Sequence, residues 1–165
     1  MRPGIRELIA DDWPEVREIY EAGIRSGHAT FETTAPPWPE WDADHRPDCR
    51  LVAEGDDGAV VGWAALSPVS SRCVYGGVAE VSVYLAPAAR GQGLGRRLLA
   101  ALVAASEAAG VWTLEAGIFP ENDASLAIHM QCGFRLVGVR EGLGRMGDTW
   151  RDVALLERRS EAVGT

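Results

Sequence analysis

The sequence predicts an α/β fold in which a mixed central sheet is flanked by helices on both faces. The length of 165 residues fits one domain, which we expect to span residues 1–165. In the second half of the chain, apolar segments of strand length alternate with segments whose apolar residues recur at helical spacing. A meander of strands precedes them, and this order is typical of a mixed sheet covered on both sides.

The chain begins with a predicted strand and a predicted helix. The strand covers Ile5–Ile9, and the D-x-x-E pattern of Asp12 and Glu15 predicts a capping box at the start of the helix. Apolar residues at helical spacing follow, and Gly27 marks the predicted end of this helix.

A hairpin is predicted in the middle of the chain. Two apolar runs, Leu51–Glu54 and Val60–Leu66, flank the turn sequence Gly55-Asp56-Asp57-Gly58. Between the first helix and this hairpin, the proline-rich segment Pro36–Pro47 is predicted as a loop.

Strands and helices alternate in the rest of the chain. The predicted strands are Val78–Leu85, Trp112–Phe119, Phe134–Arg140 and Trp150–Leu156. The predicted helices are Gly93–Ala109, closed by Gly110, and Asp123–Cys132, which ends at Gly133.

Composition and charge exclude several classes of protein. Hydrophobic residues make up 47% and charged residues 24%, as in ordinary globular proteins. The net charge of −8 argues against a general nucleic-acid or anionic-membrane binder. The most apolar stretch, Leu98–Ala105, is too short to cross a bilayer, and Arg2 and Arg6 interrupt any signal-peptide core, so we expect a cytoplasmic protein. Three widely spaced cysteines are expected to be buried or incidental thiols, with a bridge between Cys49 and Cys73 as the alternative: Cys49, Cys73 and Cys132.

A glycine-rich loop lies between the strand Val78–Leu85 and the following helix, and it reads R-x-x-G-x-G. Its glycines let backbone N–H groups approach a ligand, and the helix start adds free N–H donors and a positive dipole end. Arginines concentrate positive charge here in an otherwise acidic chain, so the loop predicts a phosphate site. It lacks the G-K-[ST] of a Walker A loop and the third glycine of a Rossmann fingerprint. The residues are Arg90, Gly91, Gln92, Gly93, Leu94, Gly95, Arg96 and Arg97.

This loop and the segment Asn122–Phe134 resemble the two halves of the acetyl-CoA-binding pattern of the GCN5-related N-acetyltransferase (GNAT) superfamily. The resemblance implies a GNAT fold with a splayed strand pair that holds acetyl-CoA as co-substrate, and no metal. Asn122 is interpreted either as a pantetheine-binding residue or as the cap of its helix. The residues that the resemblance assigns to acetyl-CoA are Val81, Val83, Leu85, Arg90, Gly91, Gln92, Gly93, Gly95, Arg96, Asn122 and Ser125.

From Ile5 to Glu157 the chain resembles one group within this superfamily, the phosphinothricin and methionine sulfoximine N-acetyltransferases. The resemblance rests on Thr30-Phe31-Glu32-Thr33, on the segment from Arg72 to Tyr84, and on Trp150-x-Asp152-Val153. It implies acetylation of the amino group of a small amino-acid-like acceptor and, with six tryptophans, a homodimer. The alternatives are another amine acceptor (a polyamine, an aminoglycoside or a protein amino terminus) and a non-catalytic acyl-CoA-binding module.

Two departures from that group concern the acceptor side. Only nine residues separate Trp41 from Leu51, which is short for the second helix that such proteins carry over the acceptor site. Gly76 and Gly77 replace bulkier residues. We therefore expect a more open acceptor pocket.

Glu80 is the predicted general base. An aliphatic amine with a pKa of about 10 is neutral in only about one part in a thousand at pH 7, so a proton acceptor must assist its attack on a thioester. Alternation along the strand places Glu80, Ser82 and Tyr84 on one face. His129 stands where the resemblance implies a tyrosine that protonates the leaving thiolate, and it is interpreted either as that acid or as a packed or capping histidine.

Four residues are predicted to bind the acceptor. Arg72 can pair with a carboxylate as a bidentate fork, or it is a surface arginine. Because Arg72 and Glu80 flank a turn that contains Gly76 and Gly77, we expect both side chains to reach one cavity. The remaining candidates, Phe31, Glu32 and Tyr84, are expected to line the acceptor pocket, with Glu32 attracting the ammonium group.

Overall fold

A computed structural model describes residues 4–165, which form seven strands, four α-helices and short 3-10 turns. The strands are β1 (Gly4–Glu7), β2 (Leu51–Glu54), β3 (Val60–Pro68), β4 (Val78–Leu85), β5 (Thr113–Ile118), β6 (Arg135–Met146) and β7 (Thr149–Arg159). The helices are α1 (Trp13–Ser26), α2 (Trp38–Asp44), α3 (Leu94–Ala108) and α4 (Asp123–Gln131). Within this part of the chain, no helix has the length and apolar character needed to cross a membrane.

The described strands make one sheet in the order β1-β2-β3-β4-β5-β7-β6. All neighbours are antiparallel except β4 and β5, which run parallel. Their pairing extends only from Val78 to Glu80 on β4 and from Thr113 to Glu115 on β5, and the two strands separate beyond it. The predicted mixed sheet with a splayed strand pair is therefore confirmed.

Helices cover both faces of the sheet, as predicted. On one face, Leu98 and Leu102 of α3 are fully buried in the larger hydrophobic core. On the other face, Val16 of α1 and Trp41 of α2 pack with Trp63 of β3 in a second core. In β3, for example, Ala64 and Leu66 belong to the first core and Trp63 and Ala65 to the second, so alternating residues serve two separate cores.

Several predicted boundaries agree with the structure. Strand β4 has the predicted limits, and the Leu51–Glu54 hairpin pairs with β3 as expected. Gly27 ends α1 with φ of 72°, a left-handed conformation that glycine adopts without strain.

The predicted capping box at Asp12 and Glu15 is wrong, because tertiary partners take both carboxylates. Arg6 of β1 donates two hydrogen bonds of 2.8 Å to the buried Asp12, which also accepts one from the N–H of Ile9. Glu15 accepts a hydrogen bond of 2.8 Å from the N–H of Val60. These bonds tie the start of α1 to β1 and β3.

The segment predicted as a loop over Pro36–Pro47 contains helix α2. Pro39 lies in its first turn, where the missing N–H costs no helical hydrogen bond. Trp41 anchors the helix, since it is 1% exposed and its ring lies 5.5 Å from those of Trp13 and Trp63. A second helix is therefore present before β2 despite the short connection.

Strand β6 extends past the predicted end at Arg140 to Met146. Gly142 and Gly144, which weaken a strand prediction, lie inside it. Gly144 has a packing role, because a Cβ at this position would lie 2.6 Å from the ring of Phe31.

Candidate active site

The separation of β4 from β5 opens a cavity of about 740 Å³. It reaches from the splayed strands to α2 and to residues 29–37, which we call the α1–α2 loop. Nine residues that were predicted from the sequence line it: Phe31, Glu32, Glu80, Val81, Val83, Tyr84, Asn122, Ser125 and His129. The structure therefore brings most candidates from distant segments to one place.

Glu80 is the last residue of β4 that pairs with β5. It lies next to Glu115 of β5 and Ser67 of β3. Its side chain is accessible from the cavity, yet the surrounding atoms displace part of its solvent. This desolvation, helped by the negative charge of Glu115, raises the pKa of Glu80, while Arg140 opposes the shift. Glu80 is thus a stronger base than an ordinary glutamate.

Tyr84 lies on the same face as Glu80 and lines the inner part of the cavity. Its ring stacks on Trp63 at 4.8 Å and contacts Tyr20 at 5.0 Å. Gly23 of α1 permits this packing, since a Cβ there would lie 2.8 Å from the tyrosine ring. Burial raises the pKa of Tyr84, so Tyr84 is a neutral polar group in the pocket.

The α1–α2 loop forms the wall opposite Glu80. The Phe31 ring packs edge-on against that of Phe119, with the ring centroids 5.0 Å apart. It also packs closely against Gly144 of β6. Glu32 lies exposed at the cavity, and its N–H donates to the hydroxyl of Thr30 at 3.1 Å. Both predicted loop residues therefore line the cavity.

Asn122 is the N-cap of α4. Its Oδ1 accepts a hydrogen bond of 3.2 Å from the N–H of Ser125, and its Nδ2 donates to the carbonyl of His28 at 3.2 Å. Of the two interpretations of Asn122, the geometry supports the helix cap. The hydrogen bond to His28 also links α4 to the segment that leads into the α1–α2 loop.

His129 lines the cavity from α4 but is only 4% exposed, with its ring edge-on to Phe134. Its Nδ1 lies 2.7 Å from the carbonyl oxygen of Ser125. Because a carbonyl oxygen only accepts, Nδ1 carries the proton and Nε2 is the acceptor in the neutral ring. Desolvation lowers the pKa of His129, so at neutral pH the doubly protonated form needed for an acid role is scarce.

The predicted phosphate loop precedes α3. Gly91 and Gly93 both have φ of 77°, and Gly93 is the N-cap without any side-chain hydrogen bond to the helix start. The first N–H groups of α3 are thus open to an anion. Leu85, at the end of β4, packs near Gly95, which links the splayed strand to the loop. Three further predicted residues are exposed along the loop: Arg90, Gln92 and Arg96.

Arg72 does not line this cavity. The chain before β4 forms a 3-10 turn at Cys73–Tyr75, and the exposed guanidinium of Arg72 lies over the Tyr75 ring at 5.3 Å. The expected folding back of Arg72 beside Glu80 is therefore not seen. Arg140 of β6 lines the cavity instead. Sequence reasoning missed it, because its position depends on the pairing of β6 with β7.

The site combines a splayed parallel strand pair, a glycine-rich helix start without a side-chain cap, and an adjoining cavity that contains a carboxylate of raised pKa. Together these features define an acyl-CoA-dependent transferase. The sequence model described as acetyltransferase (GNAT) family matches residues 3–134. The chain belongs to this family. Among residues 4–165, no group of three or more histidine, cysteine, aspartate or glutamate side chains is arranged to hold a metal ion.

Named relatives are similar over nearly the whole chain. Phosphinothricin N-acetyltransferase of Alcaligenes faecalis is 37% identical and covers 98% of this chain, which spans 84% of that protein. L-methionine sulfoximine/L-methionine sulfone acetyltransferase of Pseudomonas paraeruginosa is 30% identical, covering 95% and 94%. A solved structure of a GNAT superfamily phosphinothricin acetyltransferase from Sinorhizobium meliloti, in complex with AcCoA, has a TM-score of 0.86 at 31% identity and covers 99% of this chain and 96% of its own.

Proposed function

We propose that the protein transfers the acetyl group of acetyl-CoA to the amino group of small amino-acid-like acceptors such as phosphinothricin, methionine sulfoximine and methionine sulfone. The observation that carries this proposal is the position of Glu80, a carboxylate with a raised pKa, at the point where β4 and β5 separate. The named activities of similar proteins support the same class of acceptor.

Acetyl-CoA supplies an activated acetyl thioester. We propose that the backbone of Val81, Val83 and Leu85, at the edge of β4 that β5 leaves, holds its pantetheine arm. The open N–H groups after Gly91 and Gly93 are placed to bind its pyrophosphate.

Glu80 acts as the general base in this proposal. The acceptor nitrogen bonds to the acetyl carbon, the carbon–sulfur bond breaks, and the proton from the amine passes to the carboxylate of Glu80. His129 is neutral, with its proton on Nδ1, so it supplies no imidazolium acid and in this proposal the thiolate leaves without such help. A thiol pKa of about 8.5 makes this departure feasible.

A polyamine is the second candidate acceptor. Four carboxylates line the cavity, and such a surface attracts a polycation: Glu32, Glu40, Asp44 and Glu80. A non-catalytic acyl-CoA-binding module is the third candidate, in which Glu80 has no chemical role.

A thiol-release assay with acetyl-CoA separates these candidates. The acceptors are phosphinothricin, methionine sulfoximine, methionine sulfone, spermidine and a peptide amine. We expect kcat/KM to be highest for the three amino-acid-like compounds. A preference for spermidine would assign the polyamine activity, and acetyl-CoA binding without turnover on any amine would assign the non-catalytic module.

We also propose one domain over residues 1–165, a cytoplasmic location and assembly as a homodimer. Three of the six tryptophans, Trp13, Trp41 and Trp63, are buried in the core and Trp38 packs against it, so their number does not support the dimer, although Trp150 is 64% exposed. Support comes from the edge strand β6, where Val137, Val139 and Leu143 are 45%, 47% and 49% exposed. A long apolar edge of this kind is suited to cover by a second copy.

A further inference from the structure

The cavity that contains Glu80 is strongly acidic. Its lining includes the carboxylates Glu32, Glu40, Asp44 and Glu80. The sequence has no lysine, so arginine is the source of permanent positive side-chain charge. Among residues 4–165, Arg140 is the one arginine in the cavity lining. Arg140 is therefore the side chain of this lining whose permanent positive charge can offset the repulsion that a carboxylate-bearing acceptor meets from these acids.

Most other arginines of the described chain have structural partners. Ion pairs engage eight of them: Arg6, Arg17, Arg46, Arg50, Arg135, Arg145, Arg151 and Arg158. Arg140 takes part in none of these pairs, and its charge acts on Glu80 across the cavity. An arginine that lines the same cavity as four carboxylates and forms none of these ion pairs is available to an incoming anion.

Arg140 and Glu80 project from the same face of the sheet. Glu80 lies beside Glu115, which lies opposite Glu157 of β7. Val153 is four residues from Glu157, hence on the same face, and it pairs with Arg140 of β6. The cavity lining thus places a base and a cation on one surface.

The face of the sheet that carries Glu80 and Arg140 also includes a glycine. Gly117 of β5 is two residues from Glu115 and shares its face, so it leaves space where a side chain would stand. A Cβ at Gly117 would lie 3.3 Å from a side-chain carbon of Val153, so a side chain at this position would press on Val153 and narrow the space. A small zwitterion bound between Glu80 and Arg140 would have its ammonium group toward the carboxylate and its carboxylate toward the guanidinium.

We propose that Arg140 binds the α-carboxylate of the acceptor while Glu80 receives the proton from its α-ammonium group. This assignment rests on the proposed function and specifies which acceptors the site takes: α-amino acids rather than simple amines or polyamines. A guanidinium matches a carboxylate with two parallel N–H donors, and in this cavity it offsets repulsion by four acids.

The decisive test compares methionine sulfone with 3-(methylsulfonyl)propylamine, which is the same compound without its carboxylate. Arg140→Ala should raise KM for methionine sulfone by about 10- to 100-fold, the range expected for a lost hydrogen bond to a charged group. Its KM for the carboxylate-free amine should change little. Arg140→Lys should restore part of the affinity, since a point charge lacks the planar fork.

Two further variants complete the comparison. Arg145→Ala removes another arginine from the same strand, one that pairs with Asp148 at the surface, and it should leave both KM values unchanged. Arg72→Ala tests the competing arginine outside the cavity. If Arg72→Ala rather than Arg140→Ala causes the carboxylate-dependent loss, or if Arg140→Ala affects both acceptors equally, the assignment is overturned.

The pH profile gives a second readout. Removing the positive charge at Arg140 should move the acidic limb of kcat/KM for the carboxylate-free amine to higher pH, because Arg140 holds the pKa of Glu80 down. An unchanged limb contradicts the electrostatic link. If the wild-type enzyme acetylates methionine sulfone and Arg140→Ala leaves its KM unchanged, this inference alone fails. If the wild-type enzyme acetylates no amino acid, the proposed function fails with it.

Discussion

Glu80 combines two properties that the proposed general base needs, access from the cavity and basicity above that of a free carboxylate. Its position at the last residue of β4 that pairs with β5 supplies the access. Desolvation and the neighbouring Glu115 supply the basicity. The same two causes predict how activity depends on pH, because only the deprotonated carboxylate can take a proton from the amine.

We predict that Glu80→Gln lowers kcat at neutral pH by roughly 100-fold or more, the usual contribution of a general base. In the wild-type enzyme, activity should fall as pH drops through the raised pKa of Glu80, and this limb should be absent in the variant. Steady-state kinetics across pH, with acetyl-CoA binding measured by calorimetry, checks both points.

Glu18→Gln, on the exposed side of α1, is the control for loss of one negative charge. It should keep wild-type turnover. Full activity and an unchanged pH profile in Glu80→Gln would show that another group takes the proton.

The individual site residues differ in how far sequence alone could place them. Strand alternation correctly put Glu80 and Tyr84 on one face, because that rule is local. Arg72 was expected beside Glu80 from spacing around two glycines, but the 3-10 turn at Cys73–Tyr75 directs it elsewhere. Arg140 was missed because it reaches the cavity through register with β7, which no local pattern encodes.

The start of α3 tests the phosphate assignment at the level of an element. Gly93 and Gly110 lie just outside the two ends of this helix, with φ of 77° and 79°. At both, a Cβ would meet no protein atom within 4 Å. Both positions thus require a left-handed backbone conformation, but acetyl-CoA is expected next to Gly93 and not next to Gly110.

We predict that Gly93→Ala and Gly110→Ala destabilise the fold by similar amounts, about 1 kcal/mol each, for placing an alanine in the left-handed region. Only Gly93→Ala should weaken acetyl-CoA binding, because its methyl group occupies the space of the pyrophosphate. Thermal unfolding and calorimetric titration measure the two effects separately. Equal acetyl-CoA affinity in both variants would contradict a phosphate site at this loop.

Elements were predictable where a local stop signal exists. Gly27 and Gly110 mark helix ends, and the limits of β4 follow from its apolar run. Helix α2 was not predicted, because its prolines are typical of a loop. Its stability comes from burial of Trp41 among other aromatic rings, which the local sequence does not show. The capping box at the start of α1 was wrongly predicted, because Arg6 of β1 binds Asp12.

Among residues 4–165, the edge strand β6 carries several exposed apolar side chains, and this leads to a prediction about assembly. We predict that Val139→Glu, which adds a charge to that edge, converts the proposed homodimer to a monomer while leaving the chain folded. Sedimentation velocity at micromolar concentration measures the change between twice 17.7 kDa and 17.7 kDa.

Val74→Glu is the matched control. Val74 is 63% exposed but belongs to the turn before β4, away from the edge, so this variant should remain dimeric. A wild-type protein that sediments only as a 17.7 kDa species would reject the homodimer.

The place of β7 between β5 and β6 has a consequence for synthesis of the chain. A ribosome delivers β6 before β7, the strand that connects β6 to the rest of the sheet. Arg140 and Leu143 of β6 and Val153 of β7 line the cavity, so its wall is incomplete until β7 has emerged and paired with β5 and β6. A nascent chain that already displays Glu80 and the glycine-rich loop therefore still lacks one side of the cavity until β7 has been made.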